Sequence, residues 1–234
     1  MGVIPLFKST FSIGRSLLRV EDLINIAEAG DVKKMILVED NFYGFRVINQ
    51  AFLNLGVPMI YGLRIPVVQS NLSEKPSKLV FFPKNNRGIR VVRGLYTKCF
   101  TSEGECLNLS KIENGELDEI SIGVPFYDSY IFNNIFHFGL CDLSLDDFDH
   151  FYMEEDNRHP FDFQISSALK KLGVATEKTK SIYYRDKDDF EAFQMYKAVC
   201  SRKQGRVPTF SNPRLNDFCS NEFCYESYLE NVAQ

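Results

Sequence analysis

The chain has 234 residues, of which 44% are hydrophobic and 25% are charged, a composition typical of a folded globular protein. Its formal net charge of -4 and its isoelectric point near 5.5 argue against attraction to nucleic acid or anionic membranes through overall charge. No apolar run approaches the roughly 20 residues that a transmembrane helix needs, and the N-terminus lacks the features of a secretory signal. We therefore expect a cytoplasmic protein that does not bind membranes.

Segments with the pattern of strands and segments with the pattern of helices alternate along the chain. We predict strands at 3–7, 34–38, 57–68, 78–82, 119–125, 150–155 and 174–176. We predict helices at 19–30, 43–56, 86–100, 127–139, 160–173 and 186–200, and a short helical stretch near 222–229. Short links between such segments are typical of parallel βαβ units, which form either a doubly wound sheet or a closed β/α barrel.

The predicted strand ends carry a mixture of carboxylates and cations. In a β/α barrel the chemistry lies at the carboxyl ends of the strands, and a multinuclear metal centre there needs mostly histidine and aspartate ligands. The residues that the sequence places at these ends are Lys8, Ser9, Glu39, Asp40, Arg64, Lys84, Glu154, Glu155, Glu177 and Lys178. This mixture argues against a conventional metal centre.

Histidines and cysteines do not form metal-binding motifs. The three histidines, His137, His150 and His159, are not spaced as metal ligands. The six cysteines include no C-x-x-C pair, and Cys219 and Cys224 have no second pair of ligands nearby to complete a zinc site. Glycine-rich phosphate-binding loops and the nucleophile elbow are also absent. We predict reduced thiols, no metal and no cofactor.

Five segments, in a fixed order along the chain, carry a family pattern. They read LFKSTFSIGRSLLRVEDL, LVEDNFYGF with LGVPMIYGLRIPV, KLVFFPKNNRGIRVV, HFYMEE, and VATEKTKSIYYRDKDDFEAFQMYKAV. Together they resemble the PHP (polymerase and histidinol phosphatase) domain at the N-terminus of bacterial DNA polymerase III alpha subunits. The resemblance implies an α/β fold, a distorted seven-stranded β/α barrel. We predict a single barrel domain over 1–206, with a C-terminal tail, 207–234, packed on it.

The resemblance also indicates where metal ligands would stand. In active members of the family, the barrel mouth holds a cluster of metal ions and cleaves phosphoesters. Position by position, the two opening histidines of the family fall on Leu6 and Lys8, and its Asp-His pair falls on Glu39 and Asp40. A later glutamate falls on Arg64 if one inserted residue is allowed. The final aspartate and histidine fall around Lys178 to Ser181, in a segment that is two residues longer. Since nearly every ligand is replaced, we expect no catalytic residues.

The replacements predict a salt-bridged plug in place of the metals. Lys8, Arg64 and Lys178 put positive charge where metal cations would lie, and the remaining carboxylates, whose clustering would otherwise raise their pKa values, can pair with them. The vestigial site comprises Lys8, Glu39, Asp40, Arg64, Glu154, Glu177 and Lys178. The alternative is that these side chains are simply solvated after the loss of catalysis.

Protein binding in DNA replication is the leading functional hypothesis. The chain would be a non-catalytic subunit associated with a DNA polymerase or a proofreading exonuclease, or a phage-type mimic that engages a host replisome. The second hypothesis is a metal-dependent phosphoesterase with a reorganised site of Glu39, Asp40, Glu154 and Glu177. Carboxylates alone can hold Mg²⁺ or Mn²⁺, although the nearby cations would oppose it.

Direct binding of nucleic acid is a third hypothesis. The segment KNNRGIRVVRGLYTK is rich in cations, and Arg87, Arg90 and Arg93 fall on or near one face of a predicted helix. A solvated helix face remains the simpler interpretation of this pattern, given the acidic composition of the whole chain.

Overall fold

The computed structural model describes residues 2–30, 32–70, 76–101, 105–112, 115, 117–136, 143–200 and 220–232. In this part of the chain the strands are β1 (Ile4–Phe7), β2 (Met35–Glu39), β3 (Met59–Val68), β4 (Ser77–Pro83), β5 (Leu107–Asn108), β6 (Ile120–Val124), β7 (His150–Glu155) and β8 (Thr176–Ile182). The helices are α1 (Val20–Glu28), α2 (Phe45–Leu55), α3 (Asn86–Thr101), α4 (Tyr130–Phe136), α5 (Asp162–Leu172), α6 (Phe190–Cys200) and α7 (Tyr225–Val232).

The predicted α/β class is confirmed, with seven described strands of four residues or more, the number expected from the resemblance. The two-residue strand β5 was not predicted. The strand predicted at 174–176 is wrong in extent, because β8 begins at Thr176 and continues to Ile182. Its sequence, TEKTKSI, lacks the apolar run that marks a strand, although Thr179, Lys180 and Ser181 are all buried.

Residue contacts divide the chain into two compact units. Unit 1 comprises Met1–Met59, Glu155–Pro160 and Thr179–Gln234. Unit 2 comprises Ile60–Glu154 and Phe161–Lys178. The domain boundary predicted after residue 206 falls outside the described residues and stays a prediction.

Unit 1 contains a parallel group of strands in the order β2-β1-β8. Phe7 of β1 pairs with Leu37 of β2 and with Ile182 of β8, and both neighbours run parallel to β1. The ring of Phe7 is fully buried and lies 6.1 Å from that of Tyr225 in α7. A bridge between Tyr184 and Cys224 also joins the chain after β8 to the residues before α7. The described end of the chain therefore packs against β1 and β8.

Unit 2 contains strands in the order β7-β6-β4-β3-β5, and β4 runs antiparallel to both β3 and β6. The purely parallel βαβ arrangement indicated by the sequence is therefore wrong here. The link between β3 and β4, residues 69–76, is too short for a parallel crossover, which needs a dozen or more residues. The chain consequently turns back on itself after β3.

Among the described residues, no helix combines the length and the apolar composition that crossing a membrane requires.

Candidate functional site

The ends of β1 and β2 bring three of the predicted site residues together in unit 1. Because β1 and β2 are parallel neighbours, Lys8 follows β1 at the same edge where Glu39 ends β2. The Nζ atom of Lys8 lies 3.2 Å from Oδ1 of Asp40. The Lys8 side chain is 3% exposed and that of Asp40 is 25% exposed. Glu39 is fully buried, so this edge holds a buried cation beside two carboxylates.

Two serines in the loop after β1 hold the carboxylate of Glu39. The backbone N–H of Ser9 donates to Oε1 of Glu39 at 2.7 Å, and the hydroxyl of Ser12 donates to Oε2. The same Ser12 hydroxyl accepts the backbone N–H of Asp40 at 2.9 Å. Burial raises the pKa of Glu39, and the charge of Lys8 and the hydrogen bonds from Ser12 and Ser9 oppose this rise. Both carboxylate oxygens of Glu39 thus have internal donors.

The cluster of Lys8, Glu39 and Asp40 does not fit the metal centre of the family that the sequence resembles. A divalent cation beside Asp40 would meet the charge of the Lys8 ammonium group, which is poorly screened at a buried position. It would also have to displace the donors to Glu39. The cluster contains no histidine. Its chemistry is that of an internal ion pair with a hydrogen-bonded carboxylate.

Two of the three histidines lie within the described part of the chain. His150 begins β7, and its Nδ1 atom lies 2.9 Å from the backbone oxygen of Phe148. His159 is half-buried in unit 1, and His137 lies outside the described residues. Across the residues that the structure describes, no group of three or more His, Cys, Asp or Glu side chains is arranged to hold a metal ion.

Four cysteines lie within the described residues, and none of these four is in a disulfide bond: Cys99, Cys106, Cys200 and Cys224. Burial raises the pKa of the Cys99 thiol to about 12, so that it stays protonated and unreactive at neutral pH. Cys141 and Cys219 lie outside the described residues, and the expected absence of zinc at Cys219 and Cys224 stays a prediction.

Unit 1 holds a second buried carboxylate, Glu155, which the site prediction missed in favour of its neighbour Glu154. Its Oε1 atom accepts the hydroxyl of Ser181 at 2.8 Å. Its Oε2 atom accepts the backbone N–H of Ser181 at 3.0 Å and the amide of Asn157 at 2.6 Å. Successive side chains of a strand point to opposite faces, so two adjacent glutamates cannot both face the same side. The sequence HFYMEE does not reveal which of the two is buried.

Three of the remaining predicted residues lie near strand ends of unit 2. Glu154 is half-buried, and its Oε2 atom accepts the hydroxyl of Thr176 at 3.1 Å. Glu177 is half-buried and Lys178 is exposed. Glu177 and Lys178 are the second and third residues of β8, so their predicted place at the carboxyl end of a strand is wrong.

Arg64 has its described partners within unit 2. Its Nη2 atom donates to Oδ2 of Asp128 at 2.9 Å and to the backbone oxygen of Tyr127 at 3.0 Å. Asp128 adopts a positive φ of 62°, a conformation that aspartate tolerates better than most residues. Asp128 lies 64 residues from Arg64 along the chain, so no local sequence pattern indicates this pairing. The expected pairing of Arg64 with Glu39 and Asp40 stays a prediction.

A further buried ion pair fixes the described C-terminal residues in unit 1. Lys180 is 3% exposed; its Nζ atom donates to Ser227 Oγ at 3.0 Å and lies 3.6 Å from Glu222 Oε2. Arg158 contacts the other oxygen of Glu222 at 3.2 Å. Burial alone would raise the pKa of Glu222, but the Ser227 hydroxyl, Lys180 and Arg158 outweigh burial and lower it. These contacts join α7 and the residues before it to β8.

The loop after β1 and the loop after β2 pack tightly on each other. The side-chain amide of Asn41 donates to the backbone oxygen of Phe11 at 2.9 Å. The Phe11 ring lies so close to Gly44 that a Cβ atom there would overlap it. Glycine at 44 therefore allows the two loops to approach each other beside the Lys8 and Asp40 ion pair.

These two loops and the start of α2 expose apolar side chains in unit 1. Ile13 is 70% exposed, Tyr43 is 74% exposed and Val47 is 55% exposed. We call these three residues the loop-edge patch. Tyr43 and Val47 are four residues apart around the start of α2, and Ile13 is two residues from Phe11, whose ring lies against Gly44. Contiguous exposed apolar surface marks interaction sites more often than single exposed residues do.

The predicted nucleic-acid patch lies on α3 of unit 2, and the helix predicted there is confirmed. Arg87, Arg90 and Arg93 are all exposed. The Nη1 atom of Arg87 lies 3.7 Å from Oε1 of Glu119, and the Arg87 side chain is 78% exposed. Within the described residues, Arg90 and Arg93 form no ion pair.

Comparisons with known proteins place the chain in no family. No family model matches it, and no curated protein matches it. One solved structure that it matches is a candidate metal-dependent phosphoesterase from Bifidobacterium adolescentis, at 14% sequence identity and a TM-score of 0.30. The alignment covers 43% of this chain and 35% of that protein, so the chain spans well under two thirds of it. A likeness this weak carries no argument about function.

Proposed function

We propose that the chain is a non-catalytic protein that binds a DNA replication protein, either a DNA polymerase or its proofreading exonuclease. The observation that carries the first half of the proposal is the buried ion pair of Lys8 with Asp40. It lies where the family resemblance puts metal ligands, and the carboxylate of the adjacent Glu39 is already hydrogen-bonded on both oxygens. The arrangement supports a structural role for these residues in place of phosphoester cleavage.

The loop-edge patch supports the second half, an activity based on binding. Ile13, Tyr43 and Val47 expose apolar surface beside loops that are fixed by the Asn41 hydrogen bond and by the contact of Phe11 with Gly44. A rigid surface loses little conformational entropy when a partner docks. Exposed aromatic side chains such as Tyr43 are typical anchors of protein interfaces. The identity of the partner comes from the polymerase-like order of the sequence motifs.

The direct experiment measures binding of the purified chain to a DNA polymerase III alpha subunit and to a proofreading exonuclease from the cell in which the chain is made. We expect one of them to bind, and a double variant, Tyr43→Ser with Val47→Ser, to weaken binding at least tenfold. Phe163→Ser is the matched control, because Phe163 is 68% exposed and belongs to unit 2. Binding to neither protein would contradict the proposed partner. Equal binding by all variants would contradict the proposed surface.

The competing hypothesis of a phosphoesterase is tested by metal analysis and by an assay of phosphoester cleavage with Mn²⁺. We expect no stoichiometric metal and no turnover. Metal-dependent turnover that Asp40→Ala abolishes would replace the present proposal with the reorganised carboxylate site of Glu39, Asp40, Glu154 and Glu177. A cytoplasmic location remains a prediction, to be checked by fractionation of the cell in which the chain is made.

A further inference from the structure

The helix α3 has an unusual charge. Its 16 residues include the cations Arg87, Arg90, Arg93 and Lys98 and no aspartate or glutamate. The chain as a whole has a formal net charge of -4, whereas the charge of this helix is positive. Clustered cations on one element attract polyanions even when the overall charge does not.

Two arginines of α3 lie at the end of the helix where positive charge is destabilising. The N-terminus of a helix carries partial positive charge and favours acidic residues in the first turn. In α3, Arg87 and Arg90 stand near that end, and the first turn has no acidic residue. Only Lys98, in the last turn, complements the helix dipole. The arginines therefore need an explanation other than helix stability.

Two of the arginines present their charge to solvent together with an aromatic ring. Arg90 and Arg93 are exposed, and neither forms an ion pair within the described residues. Phe100 follows Arg93 by two helical turns and is 46% exposed. Its ring lies 4.6 Å, centroid to centroid, from that of Tyr96, which fixes its position. We call Arg90, Arg93 and Phe100 the basic face.

A cavity along the other flank of α3 is less suited to a polyanion. It has a volume of about 330 Å³, and its walls include Arg87 and Lys98 but also Asp118 and Glu119. Glu119 accepts from the Asn85 amide at 2.5 Å and lies near Arg87, so it reduces the positive charge there. The basic face therefore suits phosphate groups better than this cavity does.

We propose that the basic face of α3 binds single-stranded nucleic acid. The guanidinium groups of Arg90 and Arg93 contact phosphates, and the ring of Phe100 stacks on a base. This combination of backbone charge contacts with aromatic stacking is how proteins bind single strands without sequence preference. The inference does not depend on the proposed replication partner, because it rests on the charge and the exposed ring of one helix in unit 2.

Fluorescence anisotropy with a labelled oligothymidine tests this inference. The oligonucleotide has about 20 nucleotides, which exceeds common single-strand site sizes. We expect a Kd between about 1 and 100 µM at low salt. With two phosphate contacts, log K should fall against log salt with a slope of about -1.4. The double variant Arg90→Glu with Arg93→Glu should weaken binding at least tenfold and flatten the slope. Phe100→Ala should weaken binding about tenfold at unchanged slope.

The matched control is Lys33→Glu with Lys34→Glu, which makes the same change of charge at exposed positions of unit 1. It should bind oligothymidine within twofold of the wild type, and circular dichroism verifies the fold of every variant. The inference is overturned by absence of binding at about 100 µM protein and low salt. An equal loss of affinity in the arginine double variant and in the lysine double variant would also overturn it. So would binding of a duplex of the same length that is as tight as, or tighter than, binding of oligothymidine.

Discussion

Lys8 and Asp40 form an ion pair of 3.2 Å between Nζ and Oδ1, in which the lysine is almost completely buried and the aspartate remains a quarter exposed. The fully buried Glu39 precedes Asp40 directly, and the charge of Lys8 also acts on its carboxylate, so Lys8 stabilises two neighbouring carboxylates. A buried charge that loses its partner keeps its desolvation penalty without compensation. The stability of this edge of unit 1 therefore depends on Lys8.

Removal of the buried cation should destabilise the protein strongly. We expect Lys8→Met to lower the free energy of unfolding by about 3 kcal/mol, measured by urea denaturation. Adding Asp40→Asn should recover part of the loss, because it removes one of the uncompensated charges. Lys84→Met is the control, since Lys84 and Asp149 form an ion pair of 2.7 Å with side chains 41% and 57% exposed. That variant should cost less than about 1 kcal/mol. Similar losses for both lysines would contradict a special role of Lys8.

Glu39 should make stability depend on pH. Its pKa is raised from an ordinary value of 4.5, chiefly by burial, so the folded protein binds this proton more tightly than the unfolded chain does. The stability that protonation contributes is complete below the ordinary value and is lost as pH rises through the folded pKa. We expect the wild type to gain stability relative to Glu39→Gln as pH falls from about 8 to about 5, measured by urea denaturation. A wild type that loses stability relative to Glu39→Gln as pH falls over this range would contradict the prediction.

Glu222 should show the opposite dependence. Its pKa is lowered because the Ser227 hydroxyl, Lys180 and Arg158 outweigh burial. The stability that this carboxylate contributes is present above the ordinary value of 4.5 and is lost as pH falls through the folded pKa. We expect the advantage of the wild type over Glu222→Gln to diminish between about pH 6 and about pH 3.

Hydrogen exchange should locate the effect of Glu222→Gln in α7, because Glu222 fixes the residues before this helix to Lys180. Glu28→Gln removes an exposed carboxylate at the end of α1 and should change stability by less than about 0.5 kcal/mol. If exchange in α7 were unchanged by Glu222→Gln, the ion pair would not anchor the helix.

Gly44 should resist substitution by alanine. Its backbone has a φ of -84°, which alanine adopts easily, but a Cβ atom would overlap the Phe11 ring. We expect Gly44→Ala to lower the free energy of unfolding by about 1–3 kcal/mol, and Phe11→Leu to recover part of this in the double variant. A methyl group at Gly94 in α3 would meet no atom within 4 Å beyond the backbone of its own helix, so Gly94→Ala should instead stabilise by about 0.5–1 kcal/mol. Thermal denaturation shows whether Gly44→Ala lowers and Gly94→Ala raises the stability of the protein.

The sequence predicted those parts of the fold that have a local signal. Apolar residues at helical spacing identified α2 and α3, and compact apolar runs identified β2 and β4, because each pattern lies within one element. The polar strand β8 has no such run, and its extent was misjudged. The antiparallel direction of β4 also has no local signal, since strand direction follows from which segments pair and how the chain returns between them.

Sequence alone determined the α/β class, the order of most elements and the residue types at the ends of β1 and β2, where Lys8 and Asp40 could be paired in advance. The tertiary structure decided which side chains are buried and which partners they have. Glu155 rather than Glu154 is the buried glutamate of β7, and Asp128 is the carboxylate bound to Arg64. The physical reason is distance along the chain. Hydrophobic periodicity reports on neighbours within a few residues, whereas a buried charge is stabilised by groups that only folding brings within about 3 Å of it.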